Sequence, residues 1–203
     1  MLESIAGAER RVAPRTGGVA GNARLTGAVA VALLVLLAAE GVTIPFIGQL
    51  LGPHMFIGLL LVPPVALKLG STGYRFARYY THDEPYVYKG PPPILLRLLA
   101  PGVVLTTLAV FGTGIALLFT GPPSSTLIFA HKLSFIAWVA LMSLHVLGHL
   151  LELPQLASAD WRRHGGREAR LAGAGLRASA LAAAIVVGIG LGFFALSAGS
   201  SSL

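Results

Sequence analysis

The chain has 203 residues, of which 55% are hydrophobic and only 11% are charged. This composition excludes an ordinary soluble domain and indicates an integral membrane protein in contact with a lipid bilayer. The absence of cysteine excludes disulfides, iron–sulfur clusters and covalently attached haem. The formal net charge of +7 comes from short basic clusters beside apolar runs, a pattern that orients membrane helices and does not indicate nucleic-acid binding.

The apolar runs predict an all-α fold with five transmembrane helices, each long enough to cross the hydrocarbon of a bilayer. The predicted helices cover residues 25–47, 54–74, 94–120, 131–151 and 178–196. A turn at Gly52 and Pro53 is expected to separate the first two helices. Helix two is expected to kink at Pro63 and Pro64, because proline removes a helical hydrogen bond. Residues 75–97 are polar, aromatic and proline-rich and predict an interfacial loop.

Counting Lys and Arg outside the apolar cores gives the orientation. Thirteen of the fifteen lie on the side of the N-terminal tail, so the positive-inside rule places the N-terminus in the cytoplasm and the C-terminus outside a cell inner (plasma) membrane. The predicted segments are a cytoplasmic tail (1–23), a transmembrane bundle of four helices (24–152), a cytoplasmic basic loop (153–177), and the fifth helix with a short outer tail (178–203).

Two of the predicted helices carry nitrogen ligands at one common spacing. His131 and His145 stand fourteen residues apart on helix four, which places both on nearly one face, separated by ~21 Å. His54 and Lys68 repeat this spacing on helix two, which the predicted topology makes parallel to helix four. The sequence therefore predicts two cross-helix pairs at two depths, and imidazoles inside a membrane are costly without partners.

Small residues repeat the same interval on the other two helices of the bundle. Gly27 and Gly41 are fourteen residues apart on helix one, and Ala100 and Gly114 on helix three. Ordinary close packing of helices explains such residues when they are taken alone. Together with nitrogen ligands at matching depths, they leave room for a flat macrocycle with one ligand on each face. We therefore predict one or two haem b groups.

These residues resemble those of the di-haem transmembrane cytochromes b, which include cytochrome b of the cytochrome bc complexes. There, two parallel helices each carry two histidines about fourteen residues apart. The resemblance covers residues 24–152 and implies that His54 and His131 form one ligand pair, while His145 is half of the other. Lys68 departs from the pattern, because it stands where the family has its fourth histidine. Glycines that flank the haems in the family match Gly27, Gly41 and Gly114.

Several candidate site residues near the cytoplasmic side have two interpretations each. Lys68 is either an amine ligand, which requires loss of its proton, or a side chain that extends to the headgroups. His149 is either an interfacial residue or a contact to a haem propionate or a quinone. Arg75 and Arg97 lie at the depth of inner propionates, although their default role is to orient the helices.

Glu40 is a carboxylate inside a predicted apolar helix, next to Gly41 at the outer depth. A buried acid there could accept a proton from a quinol or pair with Lys132. Placement at the membrane interface is the simpler alternative.

Taken together, these residues predict a membrane cytochrome b that carries electrons between an outer redox partner and a quinone, either menaquinone or ubiquinone, or another acceptor. Because no soluble catalytic domain is evident, an electron-transfer subunit of an oxidoreductase complex is expected, with other redox subunits as partners. Two alternatives stay open. One is a haem-free helical scaffold or assembly subunit, and the other is an enzyme that itself oxidises quinol or reduces a metal.

Overall fold

A computed structural model of the protein describes residues 18–91, 93–120, 124–150 and 173–200. All regular secondary structure in these ranges is helical. A short 3-10 turn, Ile44–Phe46, joins the first two helices. Four helical stretches within the described ranges are long and apolar enough to cross a membrane, which confirms an all-α, multi-pass membrane protein. The helices are α1 (Gly18–Thr43), α2 (Ile47–Tyr80), α3 (Glu84–Lys89), α4 (Ile94–Phe119), α5 (Ser125–Leu150) and α6 (Ala174–Ser200).

The first of these stretches, Gly18–Tyr80, is an antiparallel hairpin of α1 and α2. Near its open end, Nδ2 of Asn22 donates to the carbonyl oxygen of Ser71 at 3.1 Å. Near the closed end, Oγ1 of Thr43 lies 2.9 Å from Nδ1 of His54. These two contacts join residues 49 and 11 positions apart, as a chain that reverses between them requires.

The reversal occurs earlier in the chain than the sequence predicts. Gly52 and Pro53 lie inside α2, and the residue of α2 with non-helical backbone angles is Leu50, at φ −110° and ψ 22°. Pro53 thus falls in the first turn after the break. A backbone N–H in the first turn has no acceptor within the helix, so proline, which lacks this N–H, is tolerated there. The helix then continues through Pro63 and Pro64, so the break lies at Leu50 and not at the proline pair.

Most of the helices extend beyond the predicted apolar cores. α1 already begins at Gly18, inside the predicted tail, and α2 runs to Tyr80, inside the predicted loop. α5 begins at Ser125, which places His131 in its second turn. Polar and small residues continue a helix once its apolar centre is fixed, and hydropathy alone misses these ends. Predicted tail residues 1–17 and loop residues 153–172 lie outside the described residues.

Helices α4 and α5 form a second antiparallel hairpin. Nε1 of Trp138 on α5 donates to Oγ1 of Thr107 on α4 at 2.9 Å. Further along the pair, the side chain of Leu96 on α4 lies against the backbone of Gly148 on α5. An indole N–H inside a membrane needs an acceptor, and Thr107 supplies one.

Helix α6 packs along α2, whereas the sequence predicts it outside the four-helix bundle. A Cβ atom on Gly188 would overlap the carbonyl oxygen of Leu60, and a Cβ on Gly192 would lie 2.9 Å from that of Phe56. Glycines four residues apart therefore allow the two backbones to approach closely. A core of Val29, Leu33 and Leu61 receives side chains from α4 and α6 as well, so the packed unit differs from a bundle of the first four long helices.

Candidate functional site

The candidate site lies between α2 and α5, where His54 and His131 meet. Their ring centroids are 6.4 Å apart, and the ring planes are nearly perpendicular at 82°. The sequence placed these two residues at one depth from their positions on parallel helices, and the structure brings their rings together.

Two residues of α1 hold the ring of His54. Its Nδ1 lies 2.9 Å from Oγ1 of Thr43 and 3.0 Å from Oε1 of Glu40. The Thr43 hydroxyl donates its own hydrogen to the carbonyl oxygen of Glu40 at 2.6 Å, so it accepts from His54. A neutral His54 consequently carries its hydrogen on Nδ1, an assignment that follows from the hydrogen-bond network.

The ring of His131 is held in a similar way by α4. Its Nδ1 lies 2.9 Å from Oγ1 of Thr113. The Thr113 hydroxyl donates to the carbonyl oxygen of Ala109 at 2.7 Å, so it too is an acceptor towards the imidazole. The next residue, Gly114, borders the same ring, because a Cβ atom there would lie 3.1 Å from Cε1 of His131.

This arrangement leaves Nε2 of both rings as the nitrogen available to a metal. Metal-binding histidines characteristically donate their other N–H to an oxygen acceptor, which fixes the tautomer and the ring orientation. Two imidazoles 6.4 Å apart, each with its other ring nitrogen in a hydrogen bond, are the kind of donor set that would hold the iron of a b-type haem.

A metal ion held by protein side chains alone would need more ligands. In the part of the chain that the structure describes, no group of three or more His, Cys, Asp or Glu side chains is arranged to hold a metal ion. The iron of a haem already has four nitrogen ligands from the porphyrin and would need only two from the protein, and His54 and His131 could supply these two.

The predicted inner pair, Lys68 and His145, is arranged differently. Nζ of Lys68 donates to the carbonyl oxygen of Thr26 on α1 at 2.9 Å. His145 is close enough to Lys68 for their charges to interact, which is consistent with the predicted common depth. Its Nδ1 is buried and has no hydrogen-bond partner among the described residues. The ring of the exposed His149 lies 4.8 Å from that of His145, edge to face.

The small residues predicted to flank a haem take different positions. Gly114 contacts the His131 ring, as described above. Gly27 and Gly41 are exposed, and a Cβ atom on either would meet nothing within 4 Å. The structure therefore does not bring these two glycines into contact with the histidines. Ala100 is an exposed residue of α4.

Two of the basic residues predicted near the cytoplasmic side have polar or charged neighbours of their own. A guanidinium nitrogen of Arg97 donates to the hydroxyl of Tyr80 at 2.7 Å. Arg75 stands beside Lys89, and the pKa of Lys89 is lowered by partial burial and by the Arg75 charge.

Sequence reasoning missed Thr43 and Thr113, the hydroxyls that hold the two imidazoles. The one available signal was a threonine next to a predicted flanking glycine, at Thr113 and Gly114. For Glu40 the sequence predicts either a buried acid whose partner is a quinol or Lys132, or simple placement at the membrane interface. Among the described residues, the basic side chain next to its carboxyl group is His54.

Comparison with known proteins finds no matching family model, no matching curated protein and no matching solved structure.

Proposed function

We propose that the protein is a membrane cytochrome b that carries electrons between an outer redox partner and a quinone or another acceptor. The observation that supports this proposal is the pair of neighbouring imidazoles, His54 and His131, both of which have Nδ1 in a hydrogen bond with a threonine hydroxyl. Two imidazoles inside a membrane cost free energy unless both have partners, and a shared ligand would provide one for each ring. A haem b between them would supply one-electron chemistry, which needs no catalytic side chain.

Each residue near this site would have a specific role in holding the haem. Nε2 of His54 and Nε2 of His131 would bind the haem iron. Thr43 and Thr113 fix the ring orientations through Nδ1. The Glu40 carboxylate, at 3.0 Å from the same nitrogen of His54, makes that imidazole a more basic ligand.

The topology supports a particular orientation of this centre. We infer five membrane passes, by α1, α2, α4, α5 and α6, with the haem held among α1, α2, α4 and α5. The basic residues at the end of the molecule where α2 terminates favour a cytoplasmic position for that end. They are Arg24, Arg75, Arg78, Lys89 and Arg97. The His54 and His131 pair then lies towards the outer face, where an outer partner subunit of an oxidoreductase complex would exchange electrons with it.

The reduced-minus-oxidised absorption spectrum of the purified, haem-supplied protein tests the proposal. We expect the sharp bands of a six-coordinate, low-spin b-type haem. A folded protein without any such band would be a haem-free scaffold or assembly subunit, in which the histidines act as partners in interhelical hydrogen bonds. This spectrum therefore separates the two function classes.

A further inference from the structure

The short helix α3 folds back along the end of α2, and the two helices form a surface away from His54 and His131. The ring of Tyr86 on α3 packs edge to face on that of Tyr74 on α2, with the centroids 6.0 Å apart. Tyr86 is only 6% exposed. Arg78 and Asp83 form an ion pair across the turn between the helices. These contacts fix the position of α3 relative to α2.

The contact between Tyr74 and Tyr86 also brings the neighbouring cations Arg75 and Lys89 to the same surface. Arg75 follows Tyr74 on α2, and Lys89 lies one helical turn after Tyr86 on α3. Partial burial, and secondly the Arg75 charge, lower the pKa of Lys89. Within the described ranges the carboxylates in ion pairs are those of Glu40 and Asp83, with other partners, so Arg75 and Lys89 have no acidic neighbour at ion-pair distance. Two adjacent cations repel each other unless an anion joins them.

The surroundings of the two cations are those of a membrane interface. Exposed aromatic rings stand on both sides, and Tyr88, the neighbour of Lys89, is 95% exposed. Phe76, the neighbour of Arg75, is 64% exposed. Aromatic side chains of this kind lie at the level of lipid headgroups. The anions present at high density at that level are lipid phosphates, and basic residues attract anionic lipids most strongly.

We propose that Arg75 and Lys89 bind the phosphate of an anionic phospholipid of the phosphatidylglycerol class. The planar guanidinium of Arg75 donates two parallel hydrogen bonds to phosphate oxygens, while Lys89 adds a compact positive charge. An anionic lipid is favoured over a zwitterionic one, because a zwitterionic headgroup would add its own positive charge to a site that already holds two cations. This inference does not depend on the haem.

The test is a titration of the detergent-solubilised full-length protein with short-chain phosphatidylglycerol, followed by native mass spectrometry. We expect Arg75→Gln and Lys89→Gln each to weaken binding about fivefold, which corresponds to about 1 kcal/mol for one basic residue near a lipid surface. Arg97→Gln is the matched control. It removes the same charge near the same end of the molecule, but its guanidinium is bound to the Tyr80 hydroxyl.

Three results would overturn the proposal. The first is equal affinity for phosphatidylglycerol and phosphatidylcholine, and the second is an equal loss of binding in Arg97→Gln. The third is full displacement of the lipid by millimolar inorganic phosphate, which would make this a site for free phosphate. Arg75→Lys keeps the charge and serves as a second variant should Arg75→Gln not fold. It should bind the lipid with an affinity between wild type and the Gln variants, whereas binding as tight as wild type would exclude the bidentate contact.

Discussion

The carboxylate of Glu40 lies 3.0 Å from Nδ1 of His54, and its second oxygen is buried without a hydrogen-bond partner among the described residues. A hydrogen bond from Nδ1 to this carboxyl group makes the imidazole a stronger electron donor, which favours the oxidised state of a metal bound to Nε2. We expect Glu40→Gln to retain the haem and to raise its reduction potential. Glu40→Ala also removes the support of the ring and should weaken haem affinity about tenfold.

Redox titration and haem titration of the two variants measure these effects. Glu84→Gln is a suitable control, because it removes an exposed carboxylate from the other end of the molecule. A potential that stays at the wild-type value in Glu40→Gln would mean that Glu40 does not act on the haem through His54.

His54 and His131 are expected to serve one haem, since their ring centroids lie 6.4 Å apart. His54→Ala and His131→Ala should each abolish the same set of absorption bands and the same step in a redox titration. Loss of different haems in the two variants, or retention of all bands in both, would show that the pairing of α2 with α5 is wrong.

The depth of these two histidines was predictable because the rise of an α-helix is fixed. Once α2 and α5 were recognised as parallel membrane helices, His54 and His131 had to lie near the same level, whatever the packing around them. The hydrogen-bond partners were not predictable in this way. Thr43 reaches His54 only because the backbone turns between Ile44 and Leu50, and the sequence favoured a later turn, at Gly52 and Pro53.

The position of α6 could not be read from the sequence for a different reason. Gly188 and Gly192 are spaced for close contact between helices, but such a pair indicates only that some helix approaches, and not which one. The partner is decided by the shape of α2 around Leu60 and Phe56, a property of the folded surface. The prediction of a bundle of the first four long helices consequently omitted the helix that packs closely on α2.

Gly114 should be required for the orientation of the His131 ring. A Cβ atom at this position would lie 3.1 Å from Cε1 of the imidazole, so the branched side chain in Gly114→Val must push the ring aside. We expect this variant to bind haem at least tenfold more weakly. Gly112→Val is the matched control, because a Cβ atom there meets nothing within 4 Å. Equal haem binding by the two variants would contradict the assignment.

The sequence prediction that Lys68 is an axial ligand has a specific consequence. Nζ must leave the Thr26 carbonyl, which it contacts at 2.9 Å, and turn to an iron opposite His145. The wild-type protein would then hold two haems per chain, and Lys68→Met would hold one, with the bands of the outer haem unchanged. Lys68→His should keep both haems and shift one potential. Should the wild type and Lys68→Met both contain one haem per chain, the role of Lys68 is to join α2 to α1.

The contact between α2 and α6 depends on a glycine at position 188. A Cβ atom on Gly188 would overlap the carbonyl oxygen of Leu60, and a backbone atom cannot rotate away as a side chain can. Gly188→Ala must therefore push α6 away from α2, and overpacking of this kind costs about 1–3 kcal/mol. Gly190→Ala adds the same methyl group two residues further along α6, where nothing lies within 4 Å. Thermal unfolding in detergent should show a clear loss of stability for the first variant and none for the second. Equal midpoints for both would mean that α6 does not pack on α2 through this glycine.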